Sequence, residues 1–454
     1  MDYWGIIWDG WNFNSINNLT VIILIEEIFK EVLKEIKPSK TEMEKLKIKA
    51  NEIIDKIWEV IKENNYPVLE VLLVGSSARN TNLKDDYDID IFILFDKSTS
   101  EDELEEMGLN IGIETIKRLN GSYKINYASH PYVNGKVDEY EVDIVPCYKI
   151  DFGEKIISAV DRTPLHHKFL KDRLNEKLCD EVRLLKAFLK SLGLYGSDVK
   201  TKGFSGYLCE LLILHYGSFI NLLKDAQNWK IGKKIILKDI FEIYKDVDIN
   251  KLKKFEEPFV VYDPVDLNRN VASPLSKENF CEFIFYAREF LKNPSIEFFK
   301  DYAKKLEKIL EDREHGYRLI LKIPREDVVD DIIYPQMEKL QKSINKAITK
   351  NEFVILDSKC FADEDYCYLY WEFLVHKLPR VALREGPPIF EKERAERFLK
   401  KYDKVFIKDC KLFAYTERKY YHIIDLFKDI VNGNLQNISI PKYVNPRKGE
   451  IIEL

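Results

Sequence analysis

Long apolar runs, paired cysteines and internal repeats are all missing from this chain of 454 residues. Its most membrane-like run, residues 21–25, is far too short to cross a bilayer. The first 20 residues have neither a positive n-region nor a small-residue cleavage site, which argues against a secretory signal. The seven cysteines form no CxxC pair, which argues against structural zinc or a disulfide framework. We therefore expect a reduced, cytoplasmic protein without a membrane partner.

The composition is typical of a folded protein with several domains. A hydrophobic share of 45% and an aromatic share of 13% exclude a largely disordered chain. The length exceeds what one core usually serves, which favours two to four domains. The sequence does not determine the oligomeric state, and a homodimer is left open.

Charge is segregated along the chain. The net charge of −6 argues against a nucleic-acid partner, but residues 371–420 carry 13 Lys or Arg against 8 Asp or Glu, a local balance of +5. Aromatic residues lie between these charges: Phe373, Phe390, Phe398, Tyr402, Phe406, Phe413, Tyr415 and Tyr420. Such mixing suits phosphate contact and base stacking. A solvated helix face over an aromatic core would give the same pattern.

Periodicity predicts the order of the domains. An extension over residues 1–25 precedes a small α/β head over 26–150, with two helices, strands at 70–75 and 88–95, a helix at 101–119, and two further strands within 122–130 and 139–150. Helical patterns dominate residues 151–300. Residues 301–454 return to mixed structure, with strands at 317–324, 352–361 and 365–375 around a helix at 329–350.

Three aspartates in apolar strands predict a metal site. Asp88 and Asp90 in "DIDIFILF" point to one face of their strand, while Ile89 and Ile91 point to the other. Two adjacent anions need a compensating cation, and hard oxygen ligands favour Mg²⁺. Asp143 in "YEVDIVPCY" would supply the third carboxylate, with Glu141 on the same face as a substitute.

The turn "VGSSARN" before these strands is suited to binding phosphate. Gly75 permits tight curvature, Ser76 and Ser77 are expected to cap a short helix whose N–H groups attract anions, and Arg79 adds a positive fork. Together with the carboxylates, this turn predicts attack of a hydroxyl on a nucleoside triphosphate, assisted by two metal ions.

These motifs resemble a known superfamily. "VGSSARN" followed by "YDIDIFILF" is similar to the signature of the DNA polymerase β-like nucleotidyltransferases. "VDIVPCYKI", "AVDRTPLHH", "EVRLLKAFLK", "LYGSDVKTKGFSGYLCELLILHYGSF" and "DPVDLNRNVA" resemble, in order and spacing, the archaeal-type (class I) CCA-adding enzymes. The close resemblance covers residues 70–300, with weaker similarity to about residue 420. It implies an α+β, multidomain fold: a small mixed-sheet nucleotidyltransferase palm, a mostly helical central domain and mixed α/β C-terminal domains.

The resemblance implies roles for individual residues. Asp88, Asp90 and Asp143 would be catalytic and hold two Mg²⁺ per active site; glutamate is usual at the first position in this family, and aspartate elsewhere in the superfamily. The implied nucleotide contacts are Ser76, Arg79, Thr163, His166, Lys186, Tyr195 and Arg269. Of these, Arg269 would read the incoming base together with the RNA phosphates. Candidate RNA phosphate contacts in the basic segment are Arg384, Lys392, Arg394, Arg397, Lys400 and Lys401.

Other interpretations of these residues stay open. His166 and Tyr195 could pack helix ends, Lys186 could be solvated, and the "DPVD" before Arg269 could be turn chemistry. The leading function is addition or repair of the 3′-terminal CCA of tRNA from CTP and ATP. The rivals are a poly(A) polymerase, an oligoadenylate synthetase and an inactive RNA-binding protein. "EDREH" at residues 311–315 lacks the final arginine of the bacterial-type enzymes, which argues against that class.

Overall fold

A computed structural model of the chain describes residues 18–127, 129–244, 252–435 and 437–454. Most of the predicted N-terminal extension, residues 1–17, therefore lies outside the described residues. The chain divides into two compact units, Met1–Lys308 and Ile309–Leu454.

The first unit begins with helices and a five-stranded sheet. Its first helices are α1 (Asn18–Ile36), α2 (Lys40–Asn64), the short α3 (Gly75–Ala78) and α4 (Glu101–Arg118). Its first strands are β1 (Val68–Val74), β2 (Asp88–Phe95), β3 (Ser122–Tyr127), β4 (Pro131–Val137) and β5 (Tyr140–Tyr148). They form a mixed sheet in the order β1-β2-β5-β4-β3, in which β2 and β5 run parallel and the other neighbours antiparallel.

Alternation along β2 fixes which side chains reach the core. Ile89 and Ile91 are fully buried in the main hydrophobic core, to which α2 and α4 also contribute. Asp88 and Asp90 point to the opposite face, where Phe92 belongs to a second, small apolar cluster further along the strand. Burying each isoleucine is worth about 2 kcal/mol. A shift of one residue would bury the aspartates instead, so the apolar pattern fixes the strand register.

The predicted strand at 88–95 is confirmed, but β4 was not predicted from the sequence. The segment "PYVNGKV" contains Pro131, Asn134 and Gly135, which are typical of turns. Proline is tolerated as the first residue of a strand, where β4 has it. A Cβ on Gly135 would lie 2.6 Å from Cδ1 of Ile116 in α4, so the glycine allows close packing of helix on sheet.

The rest of the first unit is mostly helical, as predicted. Its helices are α5 (Arg162–Lys171), α6 (Glu176–Ser191), α7 (Gly206–Tyr216), α8 (Phe219–Ala226), α9 (Asp239–Ile243), α10 (Lys277–Lys292) and most of α11 (Tyr302–Glu311). A small sheet has the order β6-β7-β8, from β6 (Lys233–Ile235), β7 (Phe259–Asp263) and β8 (Asp266–Asn270). Gly217, with φ of +73°, ends α7, and Ser218 caps α8. One continuous core joins this region to the head, as shown by Ile89 and Phe188 in the same cluster.

The second unit contains two antiparallel sheets. In chain order its elements are β9 (Tyr317–Pro324), α12 (Asp330–Lys350), β10 (Ile355–Ala362), β11 (Tyr366–Phe373), β12 (Val381–Pro388), α13 (Lys392–Lys401), β13 (Val405–Lys408), β14 (Lys411–Glu417), α14 (Ile423–Val431) and β15 (Glu450–Glu453). The sheet orders are β10-β11-β9-β15 and β12-β14-β13. The predicted strands around α12 are confirmed.

All seven cysteines lie among the described residues, and none of them forms a disulfide bond there. Within the described ranges, no single helix has the length and apolar composition to cross a membrane; α7 and α8 meet those criteria together, but the chain bends by 90° between them.

Candidate active site

The parallel pair β2 and β5 brings the predicted carboxylates to one face of the sheet. Asp90 lies opposite Asp143, and Asp88 lies opposite Glu141. Residues opposite one another on neighbouring strands point to the same face. The structure therefore groups Asp88, Asp90 and Asp143, as the sequence predicted, with Glu141 beside Asp88.

The turn after β1 lies against Asp90. Val74 is the β1 partner of Asp90, and Gly75 follows with φ of +75°. A Cβ on Gly75 would lie 1.9 Å from Oδ2 of Asp90. Only glycine adopts this backbone conformation readily and, having no Cβ, leaves room for the Asp90 carboxylate. The contact explains why the Gly-Ser turn and the paired aspartates occur together in the sequence.

Asp143 is held from the other side by Asn134 of β4. The Asn134 Nδ2 donates a hydrogen bond of 2.6 Å to Oδ1 of Asp143, its partner across the strands. Asn134 was not predicted from the sequence because "NG" is typical of hairpin turns. The lateral row Asn134, Asp143 and Asp90 thus crosses three strands.

Loss of hydration raises the pKa of all three carboxyl groups, including that of the more exposed Asp88. The pKa of Asp88 rises to about 7, with further contributions from the charge of Asp86 and a hydrogen bond to it. The pKa of Asp90 rises to about 6, with repulsion from Asp143 adding to burial. Burial also raises the pKa of Asp143, opposed by the hydrogen bond from Asn134. Without a cation, clustered carboxyl groups resist ionisation, so this cluster is suited to binding a cation. Because its ligand atoms are oxygens, a hard divalent ion fits best.

A different group of ligand-type side chains is more closely spaced. In the part of the chain that the structure describes, Glu101, Glu105 and His130 have ligand atoms within 4.8 Å of one another, which the three aspartates do not as a set. The His130 Nδ1 lies 3.2 Å from Glu105 Oε1 and 3.5 Å from Glu101 Oε1. We interpret this group as a hydrogen-bonded link between α4 and the start of β4.

The Gly-Ser turn forms α3, but its serines do not cap it. The helix begins at Gly75, with Val74 in the capping position and no side-chain cap, so the predicted capping by Ser76 and Ser77 is wrong. Ser76 is half-buried, while the Ser77 hydroxyl is buried and, among the described residues, has no hydrogen-bond partner. Arg79 follows the helix and is mostly buried.

Glu210 of α7 is a buried acid that the sequence analysis overlooked. It accepts two hydrogen bonds from the Arg79 guanidinium, at 3.0 and 2.9 Å, and one from Thr81 Oγ1 at 2.6 Å. Burial acts to raise the pKa of Glu210, but the charges of Arg79 and Lys186 and these hydrogen bonds hold it below its ordinary value. The available signal was a lone glutamate in the apolar pattern "GYLCELLILHY".

Lys186 is buried near this group. Its Nζ donates a hydrogen bond of 3.0 Å to the Thr81 carbonyl, and the residue is 1% exposed, so the alternative of a solvated lysine is wrong. A Cβ on Gly206 would lie 3.1 Å from the Tyr195 hydroxyl and 3.7 Å from Lys186 Nζ. Lys186 and Tyr195 therefore converge at the start of α7.

Two more predicted nucleotide contacts meet at a second buried acid, Asp263. The His166 Nε2 lies 2.9 Å from Asp263 Oδ2, and Arg269 Nη1 donates to the same oxygen at 2.8 Å. Burial lowers the pKa of His166. Burial opposes ionisation of Asp263, yet its pKa lies at about 2 because of His166, Arg269 and its hydrogen bonds. Thr163 is half-buried in the first turn of α5.

In the second unit, α13 and β12 border a groove that contains most of the predicted RNA contacts. Arg384, Arg394, Arg397 and Lys401 line it with Phe398. The other two candidates, Lys392 and Lys400, are not part of this lining. Arg384 also pairs with Glu352 at 2.8 Å, and Arg394 pairs with Glu391 at 2.6 Å.

Comparison with known proteins places these features in sequence families. Three family models match the chain in succession: a nucleotidyltransferase domain over residues 54–166, the second domain of tRNA nucleotidyltransferase over 180–300, and the C-terminal domain of CCA-adding enzyme over 316–444.

Whole-length relatives agree with these matches. The chain is 88% identical to a CCA-adding enzyme of Methanocaldococcus jannaschii, over 96% of this chain and 97% of the relative. It is 52% identical to a CCA-adding enzyme of Methanococcus maripaludis strain C5, over 94% and 96%. It is 40% identical to one from Archaeoglobus fulgidus, over 87% of each.

Proposed function

The chain belongs to the archaeal-type CCA-adding enzymes, and from this premise we propose how its residues add nucleotides to tRNA. It is a tRNA nucleotidyltransferase that builds or repairs the 3′-terminal CCA from CTP and ATP. The 3′ oxygen of the RNA forms a bond to the α-phosphorus of the nucleotide. The bond between that phosphorus and the oxygen bridging to the β-phosphate breaks, pyrophosphate leaves, and the hydroxyl proton is released to water.

The three aspartates are the proposed ligands of the divalent metal. The observation that carries this assignment is the register of β2 and β5, which places Asp90 beside Asp143, with Gly75 against Asp90. Two Mg²⁺ ions bound there would lower the pKa of the attacking hydroxyl and stabilise the charge on pyrophosphate. Asn134 would keep Asp143 ionised and correctly turned.

The remaining predicted contacts would hold the nucleotide. Six of them are proposed to contact the triphosphate and the sugar: Ser76, Arg79, Thr163, His166, Lys186 and Tyr195. Two observations support this assignment: Arg79 directly follows the turn that touches Asp90, and Lys186 lies with Tyr195 at the start of α7. Arg269 would read the base. It keeps 35% of its side chain exposed while one nitrogen is fixed by Asp263.

The basic groove of the second unit is the proposed contact for the tRNA body. Arg384, Arg394, Arg397 and Lys401 supply positive charge there, and Phe398 and Tyr402 add apolar surface. Phosphate contacts of this kind give affinity without sequence readout.

Four single substitutions test the metal assignment. We expect Asp90→Asn and Asp143→Asn to abolish nucleotide addition and leave tRNA binding intact, because each removes a metal ligand and no RNA contact. Glu141→Gln is the matched control on the same face of β5, and it should stay active. If Glu141→Gln were inactive and Asp143→Asn active, the third ligand would be Glu141. Persistent addition by Asp90→Asn would contradict the site itself. The fourth variant, Asp88→Asn, tests the family's usual glutamate position and should also be inactive.

A further inference from the structure

The Asp263 carboxylate has four polar contacts, only one of which is the backbone hydrogen bond expected at a turn. Besides His166 and Arg269 at Oδ2, it accepts a bond of 3.2 Å from the Tyr207 hydroxyl and one of 3.1 Å from the Val265 backbone N–H at Oδ1. Asp263 is fully buried. A buried carboxylate is costly unless its oxygens are satisfied by donors, and here both are.

The donors come from three different elements. His166 lies on α5, Tyr207 on α7 and Arg269 on β8, so one carboxylate connects side chains that are distant in sequence. The His166 ring also stacks on the Tyr207 ring, with centroids 3.8 Å apart and an angle of 23° between the planes. This arrangement fixes the imidazole by a hydrogen bond at one edge and by stacking on one face.

Arg269 depends on this anchor more than its neighbours do. Its side chain is 35% exposed, whereas His166 is buried by its surroundings. A free arginine side chain loses about 2 kcal/mol of rotamer entropy when it is ordered. A guanidinium already held at Nη1 loses less entropy when a ligand binds, and among the described residues no other hydrogen bond from Arg269 is found that would occupy its remaining N–H donors.

We propose that Asp263 is a positioning residue for base selection, which fixes the Arg269 guanidinium and the His166 imidazole before CTP or ATP binds. This inference rests on the proposed function, because the role of Arg269 towards the base belongs to it. Asp263 acts through these two side chains and does not itself touch the nucleotide. Its removal therefore affects nucleotide binding and discrimination more than the chemical step.

Steady-state kinetics on the full-length Asp263→Asn variant with tRNA acceptors tests this role. The amide keeps the shape but loses the charge, and Nδ2 can no longer accept from its partners. We expect KM for CTP and ATP to rise about tenfold, the size of one lost charged hydrogen bond. At saturating nucleotide, kcat should change little, and the fraction of UTP or GTP incorporated should increase.

Asp266→Asn is the matched control. Asp266 belongs to the same β-hairpin and also carries an arginine pair, with Arg162 Nη2 at 2.9 Å, and no contact with His166 or Arg269 is among its hydrogen bonds or ion pairs in the described residues. Its loss should leave KM and base discrimination near wild type. An equal effect in both variants would mean that any lost ion pair in the hairpin matters, and would overturn the specific role of Asp263.

A double-mutant cycle separates positioning from general support. In an Arg269→Lys background, Asp263→Asn should add little further loss of base discrimination, because the guanidinium it positions is gone. Fully additive effects would contradict the proposal. If Asp263→Asn does not fold, Tyr207→Phe removes one donor to the same carboxylate and should shift KM in the same direction by less. An unchanged KM and unchanged discrimination in that variant would then overturn the proposal.

Failure of this inference can be told apart from failure of the proposed function. If Asp90→Asn is inactive and Asp263→Asn behaves like the wild type, only the proposed role of Asp263 is rejected. An active Asp90→Asn would remove the metal site, whatever Asp263 does.

Discussion

Gly75 and Gly153 have similar left-handed backbones, with φ of +75° and +85°, but different surroundings. A Cβ on Gly75 would lie 1.9 Å from Asp90 Oδ2, while none of the described residues has an atom within 4 Å of a Cβ on Gly153. We expect Gly75→Ala to lose nearly all activity because the methyl group displaces the carboxylate. Gly153→Ala should cost about 1 kcal/mol of stability from the backbone alone and keep its activity. Nucleotide addition and thermal unfolding of both variants measure this, and equal losses of activity would contradict the contact.

Asn134 permits a second test at the scale of one side chain. Removing its hydrogen bond to Asp143 in Asn134→Ala frees a proposed metal ligand. We expect the Mg²⁺ concentration for half-maximal activity to rise about tenfold, as is usual when a group that orients a metal ligand is lost. Lys136→Ala, two residues along the same strand and face, should not change it. A normal Mg²⁺ dependence in Asn134→Ala would show that Asp143 needs no such support.

Acidic site residues could be predicted from the sequence where strand alternation marks them, but not where their role depends on partners brought together by the tertiary structure. Asp88 and Asp90 could be identified because strand alternation alone separates them from the core. Glu210 and Asp263 could not be identified in this way. Each is a buried acid paired with an arginine: Glu210 with Arg79, which is distant in sequence, and Asp263 with Arg269, which lies across a hairpin. A lone acid in an apolar helix or in "DPVD" does not reveal its partner.

At the scale of elements, β4 shows why part of the sheet was not predicted. Local propensity assigns "PYVNGKV" to a turn, but pairing with β3 and β5 on both sides makes it a strand. Tertiary pairing of this kind overrides local propensity. The ordinary amphipathic helices and the apolar β2 were predicted well because their signal is periodic and local.

An ion pair connects strand β11 with the segment that precedes β9, and it leads to a prediction about pH. Arg313 donates two hydrogen bonds to the buried Glu372, at 2.9 and 2.6 Å, and these hold the pKa of Glu372 at about 2, below its ordinary 4.5. Because the folded-state pKa is the lower one, this contribution to stability is present above pH 4.5 and is lost as the pH falls towards 2.

We therefore expect Glu372→Gln to lower the free energy of unfolding by about 2 kcal/mol at neutral pH. The difference from wild type should shrink at acid pH. Urea denaturation of both full-length proteins across this pH range measures it. A difference that stays constant with pH would mean that the Glu372 charge is not what stabilises the element.

At the scale of the whole molecule, the positive charge that we propose contacts RNA is confined to one groove and is not a property of the whole chain. The net charge is −6, yet four basic side chains line one groove of the second unit. The sequence identified the basic segment, but helix geometry decides which of its residues share a surface. Arg394, Arg397 and Lys401 do, and Lys400 does not.

This arrangement predicts unequal effects of neutralising two sets of residues. The triple variant Arg394→Gln, Arg397→Gln, Lys401→Gln should bind tRNA more weakly and lower the slope of log affinity against log salt by about 2 to 3. The control pair Lys392→Gln, Lys400→Gln should change both much less. Filter binding over a range of salt concentrations measures the slopes, and equal slopes for the two sets would argue against the groove.

The most direct test of the central claim is to sequence the 3′ ends made from a tRNA that lacks CCA, with Mg²⁺, CTP and ATP. For the wild-type protein we predict ordered addition of C, C and A followed by arrest. For Asp90→Asn we predict bound tRNA without any addition. Homopolymeric ends from the wild type, or CCA ends from the variant, would contradict the account.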